Sequence, residues 1–185
     1  MNKAIELLRL YRERGGLAYE GEGITQLQHG WQCARLARQA GASPALQLAA
    51  WLHDVGHLTS GLAGTPTLRG VDDSHEHAGA RLLGALFGVA VAEPVALHVA
   101  AKRYMVTIRP GYRAALSADS TRSLALQGGP MSAEECTSFA GSPWADDAQR
   151  LRAWDDLAKD PFLKPASDDA ALASLAALME SVTRP

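Results

Sequence analysis

The sequence predicts an all-α fold. Apolar residues recur at helical spacing along nearly all of the 185-residue chain. The segments patterned in this way are separated by Gly, Pro and Ser/Thr/Asp signals that start and stop helices. No run alternates apolar and polar residues as a half-buried strand would, and there is no internal repeat or low-complexity stretch. The length suits one domain over residues 1–185 with one substantial core.

The elements follow in order. Ile5, Leu7, Leu8 and Leu10 give a short amphipathic helix that Gly15-Gly16 stops. LAYEGEGIT reads as a loop with permissive backbone, and Thr25 caps a helix from about Gln26 to Gln39 that Gly41 ends. Pro44 suits the first turn of a third helix, ALQLAAWLHDVGH. Gly61 to Gly70 is a Gly/Pro/Thr-rich loop. Asp73 or Ser74 caps a helix through Leu83 to Phe87, with Glu76 in its first turn. Pro94 opens VALHVAAKRYM, and Pro110-Gly111 breaks the chain. Ala114 to Leu126 is helical and ends at Gly128-Gly129-Pro130. Ser132 with Glu135 forms a capping box, and two more helices fit Asp146 to Lys159 and Asp168 to Val182. Seven to nine helices are expected.

Composition narrows the function. Apolar residues make up 47%, charged residues 21%, and the net charge is −2, so nothing points to a nucleic-acid partner. No stretch is apolar for long enough to span a membrane, and the N-terminus has no signal-peptide pattern, so a cytoplasmic enzyme is expected. Cys33 and Cys136 do not make a disulfide framework; Cys33, in an apolar helical pattern, reads as a buried free thiol.

All six histidines lie between positions 29 and 98. The informative unit is His53-Asp54, at the end of the apolar run LAAWL. Burying an imidazole and a carboxylate there is unfavourable unless both are satisfied, and a metal ion satisfies both. Adjacent residues on a regular helix point about 100° apart, so the pair implies a helix end or irregular turn, which Gly56 supports. His29 on the preceding helix adds a second nitrogen. Such N/O donors suit divalent first-row metals rather than calcium. A lone His on an apolar helix is more often a hydrogen-bonded core residue; the His-Asp pair with a further His reverses that balance. His75 and His98 are further candidates, His77 suits a solvated face, and Trp31 and Trp51 suit the core.

His29, His53-Asp54 and a late Asp155 match the H…HD…D signature, and the chain resembles the HD-domain superfamily. The added His75 (in DSHEHAGA) and His98 (in PVALHVAAKRY) resemble its six-ligand, two-metal branch. YEGEGITQLQHGWQCA, AAWLHDVGHL, HEHAGARLL, SLALQGGPMS and LRAWDDLAK extend the likeness to a small subgroup, the PhnZ-type phosphonate-cleaving oxygenases and, more distantly, inositol oxygenase. The likeness covers a core of about 19–160, leaving 161–185 for a closing helix. It implies a single HD domain in which His29, His53 and Asp155 hold one metal, His75 and His98 the other, and Asp54 bridges. Asp155 is preferred over Asp156 because aromatic–Asp with Lys four residues on (Trp154, Lys159) is the family pattern. The metals implied are an Fe(II)/Fe(III) pair that activates O2 against a small 1-hydroxy-2-aminoethylphosphonate-type substrate, its amine primary or N-methylated, with release of phosphate.

The same resemblance gives roles to the surrounding residues. Lys102, one turn beyond His98, suits a phosphonate dianion. His57 is one turn beyond His53 and is a second phosphonate partner. Arg152 either binds the anion or forms a surface salt bridge. Ser120 is better placed if a helix begins near it than in mid-helix. Tyr19 and Glu22 resemble a mobile lid, with Glu22 facing the substrate amine. Gln127 either reaches the site or caps a helix. Two other readings stand beside the oxygenase: an HD phosphohydrolase using the same ligands on a phosphate ester, and a non-catalytic metal-binding regulatory module. Oligomeric state is open.

Overall fold

The computed structural model describes residues 3–19, 22–60 and 66–183. Among them are α1 (Lys3–Arg14), α2 (Gln26–Gln39), α3 (Pro44–Leu52), α4 (Val55–Thr59), α5 (His75–Phe87), α6 (Val89–Ile108), α7 (Tyr112–Ala115), α8 (Ala118–Leu126), α9 (Ala133–Ala140), α10 (Ala145–Leu157) and α11 (Asp168–Thr183), with a 3-10 turn at Pro66–Arg69. The described residues contain no strand; Ala18 and Thr25 make one isolated bridge. None of the helices is long and apolar enough to cross a membrane.

α6 is the central helix. It packs against α5, α10 and α3, while α2 lies on α3 and α10, and α11 closes the far side over α3 and α1. The shared core contains Leu46, Leu48, Leu52, Leu83, Val95 and Leu175, all essentially inaccessible. Each fully buried aliphatic side chain of this kind contributes about 1.5–3 kcal/mol. α3 is buried nearly all round, so the residues at its C-terminus are delivered into the interior. A second cluster, including Met131, Phe139 and Ala148, ties α9 to α6 and α10.

Most boundaries fall where capping chemistry puts them. Thr25 and Ser132 each form a capping box, with Gln28 and Glu135. Three expectations need correction. The helix expected through LAAWLHDVGH breaks at His53-Asp54 into α3 and α4. The helix expected from Ala114 to Leu126 divides at Leu116, because the Ser117 hydroxyl accepts the Ser120 N–H and caps a new helix. These two breaks account for eleven helices among the described residues where up to nine were expected. Pro94 lies inside α6 rather than opening it. It removes one helical hydrogen bond, but Val91 and Val95, both fully buried, hold the turns on either side in the core. Of the two residues expected to cap α5, Ser74 occupies the cap position without a side-chain capping bond, and Asp73 Oδ1 accepts the His75 N–H at 3.4 Å. Part of the 61–70 loop and residues 20–21 of the YEGEG segment lie outside the described residues.

Candidate metal centre

Two close helix approaches build the site. A Cβ on Gly30 would stand 2.5 Å from the Trp51 carbonyl oxygen, so glycine lets α2 bring His29 against the end of α3. A Cβ on Gly56 would stand 2.0 Å from the His75 carbonyl oxygen, so glycine lets α4 touch the start of α5. The turn between α3 and α4 then points His53 and Asp54 the same way, and α6 and α10 supply His98 and Asp155. All six residues expected as ligands are buried.

Their donor atoms form two groups sharing one carboxylate. In the first, His29 Nε2 lies 3.3 Å from His53 Nε2 and 3.3 Å from Asp155 Oδ1, and Asp54 Oδ2 is 3.3 Å from His53 Nε2. In the second, His75 Nε2 is 3.2 Å from His98 Nε2, and Asp54 Oδ1 is 3.3 Å and 3.8 Å from those nitrogens. The two oxygens of Asp54 thus face different groups.

The hydrogen bonds at the other ring nitrogens define what these groups are. Nδ1 of His29 meets the Ala158 carbonyl at 2.9 Å, Nδ1 of His53 the Ala50 carbonyl at 2.9 Å, and Nδ1 of His98 the Val95 carbonyl at 2.7 Å. His75 Nδ1 meets Asp73 Oδ1 at 2.9 Å. Each Nδ1 must therefore donate, which leaves the Nε2 lone pairs facing one another across about 3.3 Å. Two lone pairs at that range repel unless a positive charge lies between them. Metal–nitrogen bonds of about 2.0–2.2 Å place neighbouring ligands roughly 3–3.6 Å apart, so the separations fit a metal ion in each group. Protons are the alternative charge. Burial opposes a charge on His53, but Asp54 and Asp155 outweigh it and push its pKa up to about 10. Burial likewise opposes a charge on His75, which Asp54 and Asp73 push up to about 10. His98 is held well below its usual value by burial and by the neighbouring His75 and His53. Burial alone would raise the Asp54 and Asp155 carboxyls. His53 beside Asp54, and Arg152 beside Asp155, instead hold them well below the carboxylate range.

The site opens onto a cavity of about 540 Å3, part of it continuous with solvent. Of the six residues expected around substrate, Tyr19, His57, Lys102, Ser120 and Arg152 line it. Lys102 is almost fully buried and donates to Ser123 Oγ at 2.7 Å; burial, then the charge of Arg152, lower its pKa to about 7. Arg152 is no surface salt bridge. It is buried, pairs with Asp155 Oδ2 at 2.7 Å and with Asp156, and donates to Ser120 Oγ at 3.1 Å. Ser120 sits in the first turn of α8, the better of its two expected placements. Tyr19 stacks on His29 with ring centroids 3.9 Å apart, its hydroxyl 3.4 Å from Asp155 Oδ1.

Glu22 is not brought to the cavity wall; its carboxylate lies 3.5 Å from Lys159 Nζ. Asp156, the alternative to Asp155, accepts from Tyr112 and Arg152. Gln127 lines the cavity as well as ending α8, and its buried amide oxygen has no partner. Sequence reasoning missed Asp73, Ser123 and Asp119 in the cavity wall. The acidic pair before SHEH was the available signal for Asp73.

Residues 27–137 match the HD domain family. The chain belongs to the HD domain family. This stretch of the HD domain protein contains His29, His53, Asp54, His75 and His98, and Asp155 lies beyond it. The HD domain protein is 39% identical over 163 residues to the hydroxymethylphosphonate dioxygenase of Gimesia maris, covering 88% of this chain and 81% of that one. It is 38% identical over 150 residues to the glycine-betaine-forming [1-hydroxy-2-(trimethylamino)ethyl]phosphonate dioxygenase of Leisingera caerulea, covering 81% and 76%. An uncharacterised protein of Acanthamoeba polyphaga mimivirus is 37% identical over 155 residues, covering 83% and 71%.

Proposed function

We propose that this HD domain protein is an O2-dependent oxygenase that cleaves the C–P bond of a small 1-hydroxyalkylphosphonate. The observation that carries the reading is a double donor set, its Nε2 lone pairs turned inward, opening onto a cavity walled by Lys102 and Arg152. His29, His53 and Asp155 would hold one metal, His75 and His98 a second, and Asp54 would bridge them. A pair of iron ions would supply the one-electron chemistry with O2 that no side chain here offers. The two dioxygenase relatives act on substrates of this class by name. In the net reaction a 1-hydroxyalkylphosphonate and one O2 give a carboxylic acid and phosphate: the carbinol carbon is oxidised, O2 is reduced and the C–P bond breaks.

The chain's own groups orient the substrate. Lys102 and Arg152 neutralise the phosphonate dianion, and the Ser120 hydroxyl and the first turn of α8 add donors. His57 presents Nε2 to the same space while its Nδ1 is committed to Asp73. Tyr19 covers His29 and Asp155, closing one side of the centre against water. The Gln127 oxygen is an acceptor for a substrate O–H or N–H. A quaternary ammonium is best held by several aromatic faces. Tyr19 is the one aromatic residue besides imidazoles among the described residues lining the cavity, and residues 20–21 and 61–65 include none. With Glu22 paired to Lys159 as well, a compact substrate with a small substituent or a primary amine fits better than a trimethylated one.

The test is phosphate release from the iron-loaded protein, with and without O2. The substrates are hydroxymethylphosphonate, 2-amino-1-hydroxyethylphosphonate and its trimethylated analogue. Release that needs both iron and O2, and favours either of the first two, is expected. Release from a phosphate ester without O2 would make the protein a hydrolase. Turnover of neither class would leave a binding module.

A further inference from the structure

We propose that Asp73 is a positioning residue that holds His57 and His75 as one unit, aligning a metal ligand and an anion-binding imidazole through a single carboxylate. This rests on the metal-centre reading above. Asp73 Oδ2 lies 2.6 Å from His57 Nδ1 and Oδ1 lies 2.9 Å from His75 Nδ1, and the rings stack with centroids 3.9 Å apart and 22° between planes. Each oxygen fixes one tautomer, so both Nε2 atoms point towards Asp54 Oδ1, His75 from 3.3 Å and His57 from 3.8 Å.

Asp73 has no counterpart elsewhere in the centre. The Nδ1 atoms of His29, His53 and His98 all meet backbone carbonyls. His75 alone among the expected ligands meets a side chain, and an anionic one. A charged acceptor makes an imidazole the stronger donor to its metal, so the two metal positions differ in their supports as well as their ligands. The backbone beside Asp73 is unusual as well. Ser74 is the one non-glycine residue with left-handed φ (49°) among the described residues, a conformation that persists only when its surroundings enforce it. Gly56 allows the backbone contact with His75 that brings His57 alongside it.

The decisive variant is Asp73→Asn. Its amide offers one acceptor and one donor, so it can fix only one of the two tautomers. The other ring must turn its N–H to Nε2 or lose its partner. Co(II) titration followed by its visible absorption reads each metal position without phosphonate or O2. The wild type is expected to bind two equivalents. Asp73→Asn should bind one with near-native affinity and the second about 10–100-fold more weakly, with a raised KM for hydroxymethylphosphonate in the iron-loaded protein. Asp73→Glu keeps two carboxylate oxygens and should recover part of the second affinity, which separates a positioning role from general loss of folding. Two unchanged equivalents in folded Asp73→Asn would overturn the inference while leaving the metal centre intact. A wild type that bound no Co(II) would overturn the centre and the inference with it.

Discussion

Lys102 shows how one residue joins folding to function. Its position one turn beyond His98 was legible in the sequence; its burial was not. The depressed pKa, about 7 against an ordinary 10.5, comes first from burial and second from Arg152. Below about pH 7 the amine is charged folded or unfolded, and its burial destabilises the fold in full. Between about 7 and 10.5 the unfolded chain binds more protons, so this penalty falls as pH rises. Lys102→Met should therefore raise stability at pH 6 by an amount on the order of 2 kcal/mol, with the gain shrinking towards pH 10, as read by denaturant unfolding across pH. The same variant should lose phosphonate affinity at least tenfold. Asp73 is the opposite case at this scale: it carries no motif of its own, and only the folded chain shows that two histidines 18 residues apart share it.

At the scale of elements, the break between α3 and α4 decides the geometry. The tension between an apolar run and the adjacent His-Asp pair implied an irregular turn, and one is present. The contact that makes it useful is the approach of α4 to α5 at Gly56. Gly56→Ala would place a methyl group 2.0 Å from a backbone oxygen that cannot rotate away, so the helices must part. The expected result is a loss of about 1–3 kcal/mol, seen as a lower melting temperature, together with weaker binding of the metal at His75. A normal melting temperature with full metal binding would show that the two helices can slide apart freely. Pro94 and Ser117 mark where local reading misplaced elements. Burial of Val91 and Val95 overrides the tendency of proline to start a helix, and a serine cap overrides continuous helical composition at residues 114–126.

For the whole molecule, a buried cluster of histidines and carboxylates makes stability depend on what occupies it. Metal that binds the folded chain alone stabilises it by about 2.7 kcal/mol for each site at 100 times its dissociation constant. Added Fe(II) or Co(II) should therefore raise the melting temperature in a concentration-dependent way, and a chelator should reverse the rise. The metal must displace protons that the carboxylates hold on His53 and His75 up to about pH 10. The metal-induced shift should therefore grow as pH rises from 6 towards 9. A shift independent of pH would mean that these histidines are not ligands.

The sequence by itself determined the all-α architecture, most helix ends and the His53-Asp54 pair with His29 beside it, because periodicity, capping and a buried His-Asp pair are local patterns with local causes; Asp155 and the pairing of His75 with His98 came from the family resemblance. The tertiary structure decided the rest. It showed that Asp54 faces both groups, that backbone carbonyls and Asp73 turn the Nε2 lone pairs inward, that Arg152 is buried, and that Glu22 pairs with Lys159 away from the cavity wall. These facts depend on which helices touch and how closely. Spacing along a chain states what can share a helix face; packing at Gly30 and Gly56 sets which faces meet.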